Sequence, residues 1–385
     1  MRARKLALVA ACLPALAALG LAAQPTWKHL SSRTGDLEPP SKSKQQTASL
    51  VFDVDGDGLN DIVIGCRRAG PALVWYRRTA GGWQRRVIEP GVLPIEAGGA
   101  YCDIDKDGDL DIVMGGDSRS NEVWWWENPR PDFSKPWKRR LIKNSGAKKH
   151  HDQLFGDFDG DGQPELVFWN QRANKLFFAE VPDDPKNTEP WPYAPIFTSP
   201  RESEGLAAAD IDLDGTVDIV GGGCWFKHVG GGKFVAEVID DKQRFTRCAA
   251  GQLVAGGRPE VAFVVGDGTG PLKWYEWRAG RWVGHDPLGI AVDHGHSVAI
   301  ADVNGDGNND IFCAEMRLNG GNDDAQMWLL LGDGQGHFRK TTIAVGYGNH
   351  ESKLADLDGD GDLDVLGKPY NWDTPRLDIW LNPLR

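Results

Sequence analysis

Three observations predict an all-β chain folded as a seven-bladed β-propeller. A nine-residue acidic motif recurs about every 52 residues, aromatic strand-like runs follow it at fixed offsets, and the chain's start matches the strand that its last repeat lacks. Composition agrees, since 48 Gly and 16 Trp against only 4 Met suit short strands and tight turns better than helix bundles. Charged residues at 25% and hydrophobic residues at 41% exclude a disordered chain. A net charge of −12 argues against a nucleic-acid partner, whose affinity rests on neutralising phosphates.

In chain order, residues 1–23 come first: a basic start, Met1 to Lys5, then an apolar run from Leu6 to Ala23. That pattern reads as a secretory signal peptide, leaving residues 24–385 as the propeller. Pro14 breaks the run and argues against a retained span, and a lipid anchor at Cys12 is the lesser reading. A secreted or periplasmic monomer with no transmembrane segment after cleavage is expected. The five later cysteines, Cys66, Cys102, Cys224, Cys248 and Cys313, are odd in number and irregular in spacing. They do not form a disulfide framework and read mostly as small buried residues, with room for one disulfide.

The motif D-x-D-x-D-G-x-x-D/E starts at Asp53, Asp103, Asp157, Asp210 and Asp356, and a sixth copy at Asp302 carries Asn304 at its second ligand position. Successive starts lie 50 to 54 residues apart except for a gap of 92 between Asp210 and Asp302, which hides a seventh unit. Gln252 to Val261 fits its degenerate loop, with Glu260 the surviving acid.

Each unit then reads alike. An apolar strand such as 297–301 leads into the loop, and a second such as 62–64 leaves it. A third carries aromatics, as in Leu73 to Tyr76 or Val123 to Trp126, and a fourth opens on Trp83 or Trp137. Trp124, Trp125 and Trp126 alternate faces within one strand and are expected in the blade core. The last unit stops after its third strand, 377–381, while Trp27 to Leu30 matches a fourth strand. Pairing the two would leave no sheet edge open.

Aspartates at positions 1, 3 and 5 place carboxylates on one side of a tight turn, Gly at 6 permits the reversal, and the acid at 9 closes a cage of hard oxygen donors suited to Ca²⁺. About six structural Ca²⁺ are expected. Their ligands would be Asp53, Asp55, Asp57 and Asp61; Asp103, Asp105, Asp107 and Asp111; Asp157, Asp159, Asp161 and Glu165; Asp210, Asp212, Asp214 and Asp218; Asp302, Asn304, Asp306 and Asp310; and Asp356, Asp358, Asp360 and Asp364. Recurrence in unit after unit favours ions that pin strands over a catalytic ion. Without Arg2, Arg4 and Lys5 the net charge is about −15, and six Ca²⁺ would bring it to about −3.

These loops resemble the FG-GAP or VCBS repeats of integrin-α-like propellers across essentially all of residues 24–385. Such propellers include adhesion modules, lectins and lyases, so the resemblance is specific for fold and weak for function. It implies that the strand before each loop is innermost and starts on the face opposite the loops. Six residues before each loop start stand Thr47, Ala97, His151, Glu204, Thr246, His296 and His350. Three histidines and a carboxylate at one register give either a polar, water-filled channel or a site. As a site, His151, Glu204, His296 and His350 could hold one Zn²⁺ or other divalent transition metal, or share base duty.

The loops after the second strands would open on the same face, bringing Arg67, Asp117, Asn170, Glu315, Arg317, Lys368, Asn371 and Trp372 as candidate substrate-binding residues. Cations beside Asn and aromatic groups suit a carbohydrate. His151, His296, His350, Lys353, Arg247 and Tyr370 are the candidate catalytic residues. General bases with cations fit proton abstraction beside a carbonyl, followed by loss of the β-substituent.

The segments 293–307 and 348–353 also resemble the propeller part of aldos-2-ulose dehydratases, although the chain has no room for that family's cupin domains. That resemblance implies dehydration of keto-sugars with a metal held in the propeller. The sequence therefore supports two readings: a metal-dependent carbohydrate lyase or dehydratase acting on a keto-sugar or uronate, and a non-catalytic propeller that binds glycan or protein.

Overall fold

The computed structural model describes residues 26–384. The signal-peptide and lipid-anchor readings lie outside the described residues.

Seven four-stranded antiparallel sheets follow the seven sequence units. The first blade comprises Gln45–Phe52, Asp61–Arg67, Leu73–Thr79 and Gly82–Glu89. The second runs Ala100–Cys102, Asp111–Gly115, Val123–Glu127 and Lys138–Lys143, and the third His150–Gly156, Glu165–Asn170, Lys175–Glu180 and Ala194–Thr198. Ala207–Ala209, Asp218–Gly221, Cys224–His228 and Phe234–Val238 make the fourth. The hidden unit is the fifth blade: Thr246–Gly251, Glu260–Val265, Lys273–Arg278 and Arg281–His285. Ser297–Ala301, Asp310–Ala314, Gln326–Gly332 and Phe338–Val345 form the sixth. In the seventh, Lys353–Ala355, Asp364–Gly367 and Asp378–Leu381 are completed by Lys28–Ser31, which pairs antiparallel with Asp378–Leu381. One short pair, Thr269–Pro271 with Ala291–Asp293, stands outside the blades.

Blades adhere through their aromatic third strands. Trp124 and Trp126 pack with Leu50, Val63 and Trp75 of the first blade, whereas Trp125 turns the other way to Leu166 and Phe168 of the third. Alternation along one strand thus feeds two blade interfaces. All three indoles are at most 2% exposed, so each contributes roughly 2–3 kcal/mol of burial. Cys66, Cys224 and Cys313 are buried among these layers, and all five described cysteines are free thiols.

The acid at position nine has one role in every blade. Asp61, Asp111, Glu165, Asp218, Glu260, Asp310 and Asp364 are all buried. Each accepts the backbone N–H seven residues earlier, from Val54 (3.2 Å), Ile104 (3.2 Å), Phe158 (2.8 Å), Ile211 (2.9 Å), Leu253 (2.7 Å), Val303 (3.0 Å) and Leu357 (2.9 Å). The second oxygen of Asp61, Asp111, Asp310 and Asp364 accepts an N–H within one residue of the end of the third strand. These carboxylates staple the loop to the blade, which is why Glu260 survives where the aspartates of its loop are gone.

Candidate functional site

At the register six residues before the loops, the inner strands converge on one polar cavity of about 290 Å³. Ala97, His151, Glu204, His296 and His350 line it from the inner-strand side, and Arg67, Asp117, Gln171, Asp267 and Tyr370 from the ends of the second strands and the segments after them. Thr47 ties the first blade to the second instead, its hydroxyl donating to Ile95 O at 2.9 Å.

His151, 5% exposed, donates Nδ1–H to Asp152 Oδ2 at 2.7 Å, and its Nε2 lies 3.6 Å from Glu204 Oε2. Burial opposes an imidazolium here, yet Asp152 and Glu204 outweigh it and raise His151 to about 9. The register of the inner strand shifts between His151 and Gln153, and Asp152 takes φ 51°, a conformation that costs a non-glycine residue roughly 1 kcal/mol or more. That bulge aims the carboxylate at Arg247, whose Nη1 and Nη2 reach Oδ2 at 2.8 Å and Oδ1 at 2.7 Å. Glu351, also at positive φ (57°), takes Arg247 Nη2 at 2.8 Å and Lys353 Nζ at 3.3 Å. Arg247 and Lys353 therefore sit in a charge chain beside the cavity and do not line it.

The other wall is a stack of rings. His296 lies on His350 with centroids 4.8 Å apart, and His350 lies on Tyr370 at 4.8 Å. His296 Nε2 meets Asp267 Oδ1 at 3.1 Å, and the Tyr370 hydroxyl accepts from Arg67 Nη2 at 2.5 Å. Arg67 also pairs with Glu96 at 2.9 Å. Lys368, 1% exposed, donates to Gln46 O (2.9 Å), Thr47 O (3.3 Å) and His350 O (2.7 Å), with His350 Nδ1 at 3.2 Å. Burial drives Lys368 down to about 7 and His350 well below its ordinary range.

Glu204 is 1% exposed, burial pushes its carboxyl up, and its Oε1 has no hydrogen-bond partner. Gly266 leaves the room for it: a Cβ there would stand 2.3 Å from Glu204 Oε1 and 3.3 Å from His296 Cε1.

Several expected binding residues do other work. Asn170 caps a short 3₁₀ turn and donates to Ala147 O at 3.0 Å. Glu315 accepts the N–H groups of Asp293 and Gln326, both at 2.8 Å. Arg317 stacks 3.8 Å over Trp372 on the rim, and Asn371 hydrogen-bonds Asn319. None of these five lines the cavity. Residues that the spacing did not single out do line it: Gln45, Arg68, Ser118, Lys149, Phe245, Asp267, Met316 and Leu318. The signal that could have found Asp267 is its place between Gly266 and Gly268, just past a second strand.

No three of His151, Glu204, His296 and His350 bring ligand atoms within 4.8 Å of one another. That arrangement does not fit a transition metal. Five loops do gather such groups: Asp53, Asp55 and Asp57; Asp103, Asp105 and Asp107; Asp157, Asp159, Asp161 and Glu165; Asp210, Asp212 and Asp218; and Asp356, Asp358 and Asp360. Burial and then neighbouring carboxylates push Asp109 up to about 7, and burial holds Glu165 up near 8. Crowded, partly desolvated carboxylates of this kind could bind metal ions.

A search of curated protein sequences finds no match. Among solved structures, the chain is similar to BBS1N, crystallised in complex with ARL6DN and soaked with mercury, at TM-score 0.57 and 13% identity over 94% of this chain and 98% of that one. It is also similar to the V. cholerae biofilm matrix protein Bap1, at TM-score 0.47 and 11% identity over 90% of each chain. The first likeness shows the fold alone. A family model for the FG-GAP-like repeat matches residues 103–168, 157–221, 257–313 and 302–367, more than half of the sequence. With seven blades that each carry the acidic loop or its remnant, the chain belongs to the FG-GAP-like repeat family.

Proposed function

We propose that the axial cavity is the active site of a secreted carbohydrate lyase or dehydratase that acts on a keto-sugar or uronate by β-elimination. The observation that carries this reading is Glu204 Oε1, a buried and unpartnered carboxylate oxygen between an imidazolium and a second imidazole. A carboxyl held up by burial is suited to take a proton near neutral pH. In the proposed step Glu204 removes the proton on the carbon next to the carbonyl or carboxylate. The C–H electron pair passes into the enolate, which the charged His151 and Arg67 stabilise. Collapse of the enolate breaks the C–O bond at the β-carbon, and the leaving oxygen takes a proton from Tyr370, held at 2.5 Å by Arg67. No oxidant or water is consumed. His296 and His350 supply flat faces and hydrogen bonds for a sugar in a cavity large enough for one or two rings.

Ca²⁺ is the ion proposed for the acidic loops. Bound there, it would neutralise the carboxylates and cross-link the turn, and it takes no part in the elimination. Among the described residues no helix is long and apolar enough to cross a membrane. Export rests on the sequence of residues 1–23.

The test is to incubate the purified chain with keto-sugars and oligouronates and follow the ultraviolet absorbance of the conjugated product. Turnover that falls about 100-fold or more in Glu204→Gln supports the assignment. Saturable glycan or protein binding without product would instead make the cavity a recognition site. The closed chain Asp152–Arg247–Glu351–Lys353, already neutralised within the protein, would serve such a site equally well.

A further inference from the structure

Lys368 is a buried cation that the elimination step does not use. It follows the second strand of the seventh blade, Asp364–Gly367, and is tied to His350 three times over. His350 N–H donates to Lys368 O at 2.8 Å, while Lys368 Nζ donates to His350 O at 2.7 Å and reaches His350 Nδ1 at 3.2 Å. The same Nζ donates to Gln46 O and Thr47 O, on the inner strand of the first blade.

A lysine in a nest of carbonyls is not by itself a functional feature of this fold, because Lys143 has such a nest as well. It ends the fourth strand of the second blade, is 1% exposed, and donates to Asn121 O at 2.9 Å, to Ala147 O at 3.1 Å and to Ser145 O. It also meets a histidine, His150, with Nε2 at 3.4 Å. His150 does not line the cavity, whereas His350 does. What the bonded histidine faces sets the two lysines apart.

An ammonium carries donors alone, so the ring nitrogen it meets must accept. A neutral His350 therefore keeps its proton on Nε2. Burial, and then the ammonium beside it, oppose a second proton on the ring. His296 and Tyr370 stack with that ring at 4.8 Å each and hold its plane. Among the described residues His350 Nε2 has no hydrogen-bond partner, and it is not sealed from solvent as Glu204 Oε1 is, so it is left to the cavity that the ring lines.

We propose that Lys368 is a positioning residue: it locks His350 as the neutral tautomer protonated on Nε2, which presents a fixed N–H donor to a carbonyl or carboxylate oxygen of the bound sugar. A donor already aimed where negative charge develops needs no reorganisation when the enolate forms. One cavity then holds histidines in two states, a charged His151 beside Glu204 and a neutral His350 backed by Lys368. The lock stands on geometry, and its catalytic role rests on the elimination reading.

The experiment labels histidine with ¹⁵N in the full chain and records the ring-nitrogen spectrum at about pH 6, where Lys368 is charged. His350→Phe identifies the His350 signals by their loss. The native chain should show a bare Nδ1 and a protonated Nε2, and Lys368→Met should lose that fixed pattern. Lys143→Met also strands three carbonyls yet should leave the His350 signals unchanged, which separates positioning from stability. With the sugar substrates, kcat should fall about 10-fold or more in Lys368→Met and about 100-fold in His350→Phe, which keeps a ring in the stack. A proton on Nδ1, an imidazolium, or a pattern unchanged in Lys368→Met would overturn the lock. Full activity in both variants would overturn the catalytic role. Should Lys368→Met fold poorly, the native spectrum and the activity of His350→Phe decide. The expected spectra without turnover of any sugar would keep the lock and overturn its catalytic role together with the elimination reading.

Discussion

Asp152 holds His151 from the next position in the chain, its carboxylate accepting the imidazole Nδ1–H at 2.7 Å while both side chains are buried. Sequence neighbours on a regular strand point to opposite faces. These two meet because the strand bulges at this point and Asp152 adopts φ 51°. The pair keeps His151 charged at neutral pH, poised to stabilise a developing oxyanion.

A pH dependence of stability follows. The folded value for His151 is raised to about 9, above the ordinary ~6.5 of an unfolded chain. Its contribution is fully present below pH ~6.5 and is lost as pH rises through about 9, an effect on the order of 3 kcal/mol. Asn tolerates the left-handed backbone, so Asp152→Asn keeps the bulge and removes the charge. Denaturant unfolding at a series of pH values should show a shallower decline in the variant. NMR titration should place its His151 well below the native value.

Lys368 should show the reverse slope. Its folded value of about 7 is below the ordinary ~10.4, so the unfolded chain holds the proton more tightly between those values. Stability from this group rises with pH across that window. Lys368→Met strands the carbonyls of Gln46, Thr47 and His350, a loss of about 2–4 kcal/mol, and should abolish the rise. Urea midpoints at neutral pH and at pH ~10 would differ less in the variant than in the native chain.

How much of this was legible follows from what each residue answers to. The blades were readable because the ninth acid satisfies a backbone N–H in every unit, a demand that persists even where the loop has lost its aspartates, as at Glu260. The cavity was readable at one register, since His151, Glu204, His296 and His350 stand at equal distance from their loops. The bulge hid the rest. Spacing could not tell that His150 turns away to Lys143, 3.4 Å off, or that Asp152 turns inward to Arg247. Nor could it separate Arg317 and Trp372, which stack on each other at the rim, from residues that face the axis.

The staple gives a prediction of its own. Glu260→Ala strands the N–H groups of Leu253 and Val254, accepted at 2.7 and 3.0 Å, in a loop without the aspartates of a metal site. The expected loss is about 2–4 kcal/mol. It should be the same in Ca²⁺ and in chelator. Asp157→Ala, in the third-blade loop, should cost stability mainly when Ca²⁺ is present. Thermal melts of both variants in the two buffers separate a backbone role from an ion-holding one.

Gly266→Ala tests whether Glu204 must keep its place. The backbone of Gly266 is not in the left-handed region, so alanine brings no conformational strain, only a methyl group 2.3 Å from Glu204 Oε1. Glu204 has little room to retreat. It is 1% exposed, and its other oxygen faces His151 Nε2 at 3.6 Å. The methyl therefore displaces the carboxylate from the space between the two imidazoles while the blade hydrogen bonds stay intact. Melting should remain within a few degrees of the native chain. Activity or ligand binding at the cavity should fall as far as in Glu204→Gln, and combining the two changes should add little, because both remove the same group. A fully active Gly266→Ala would remove Glu204 from the mechanism and move base duty to His296, whose Nε2 meets Asp267 Oδ1 at 3.1 Å.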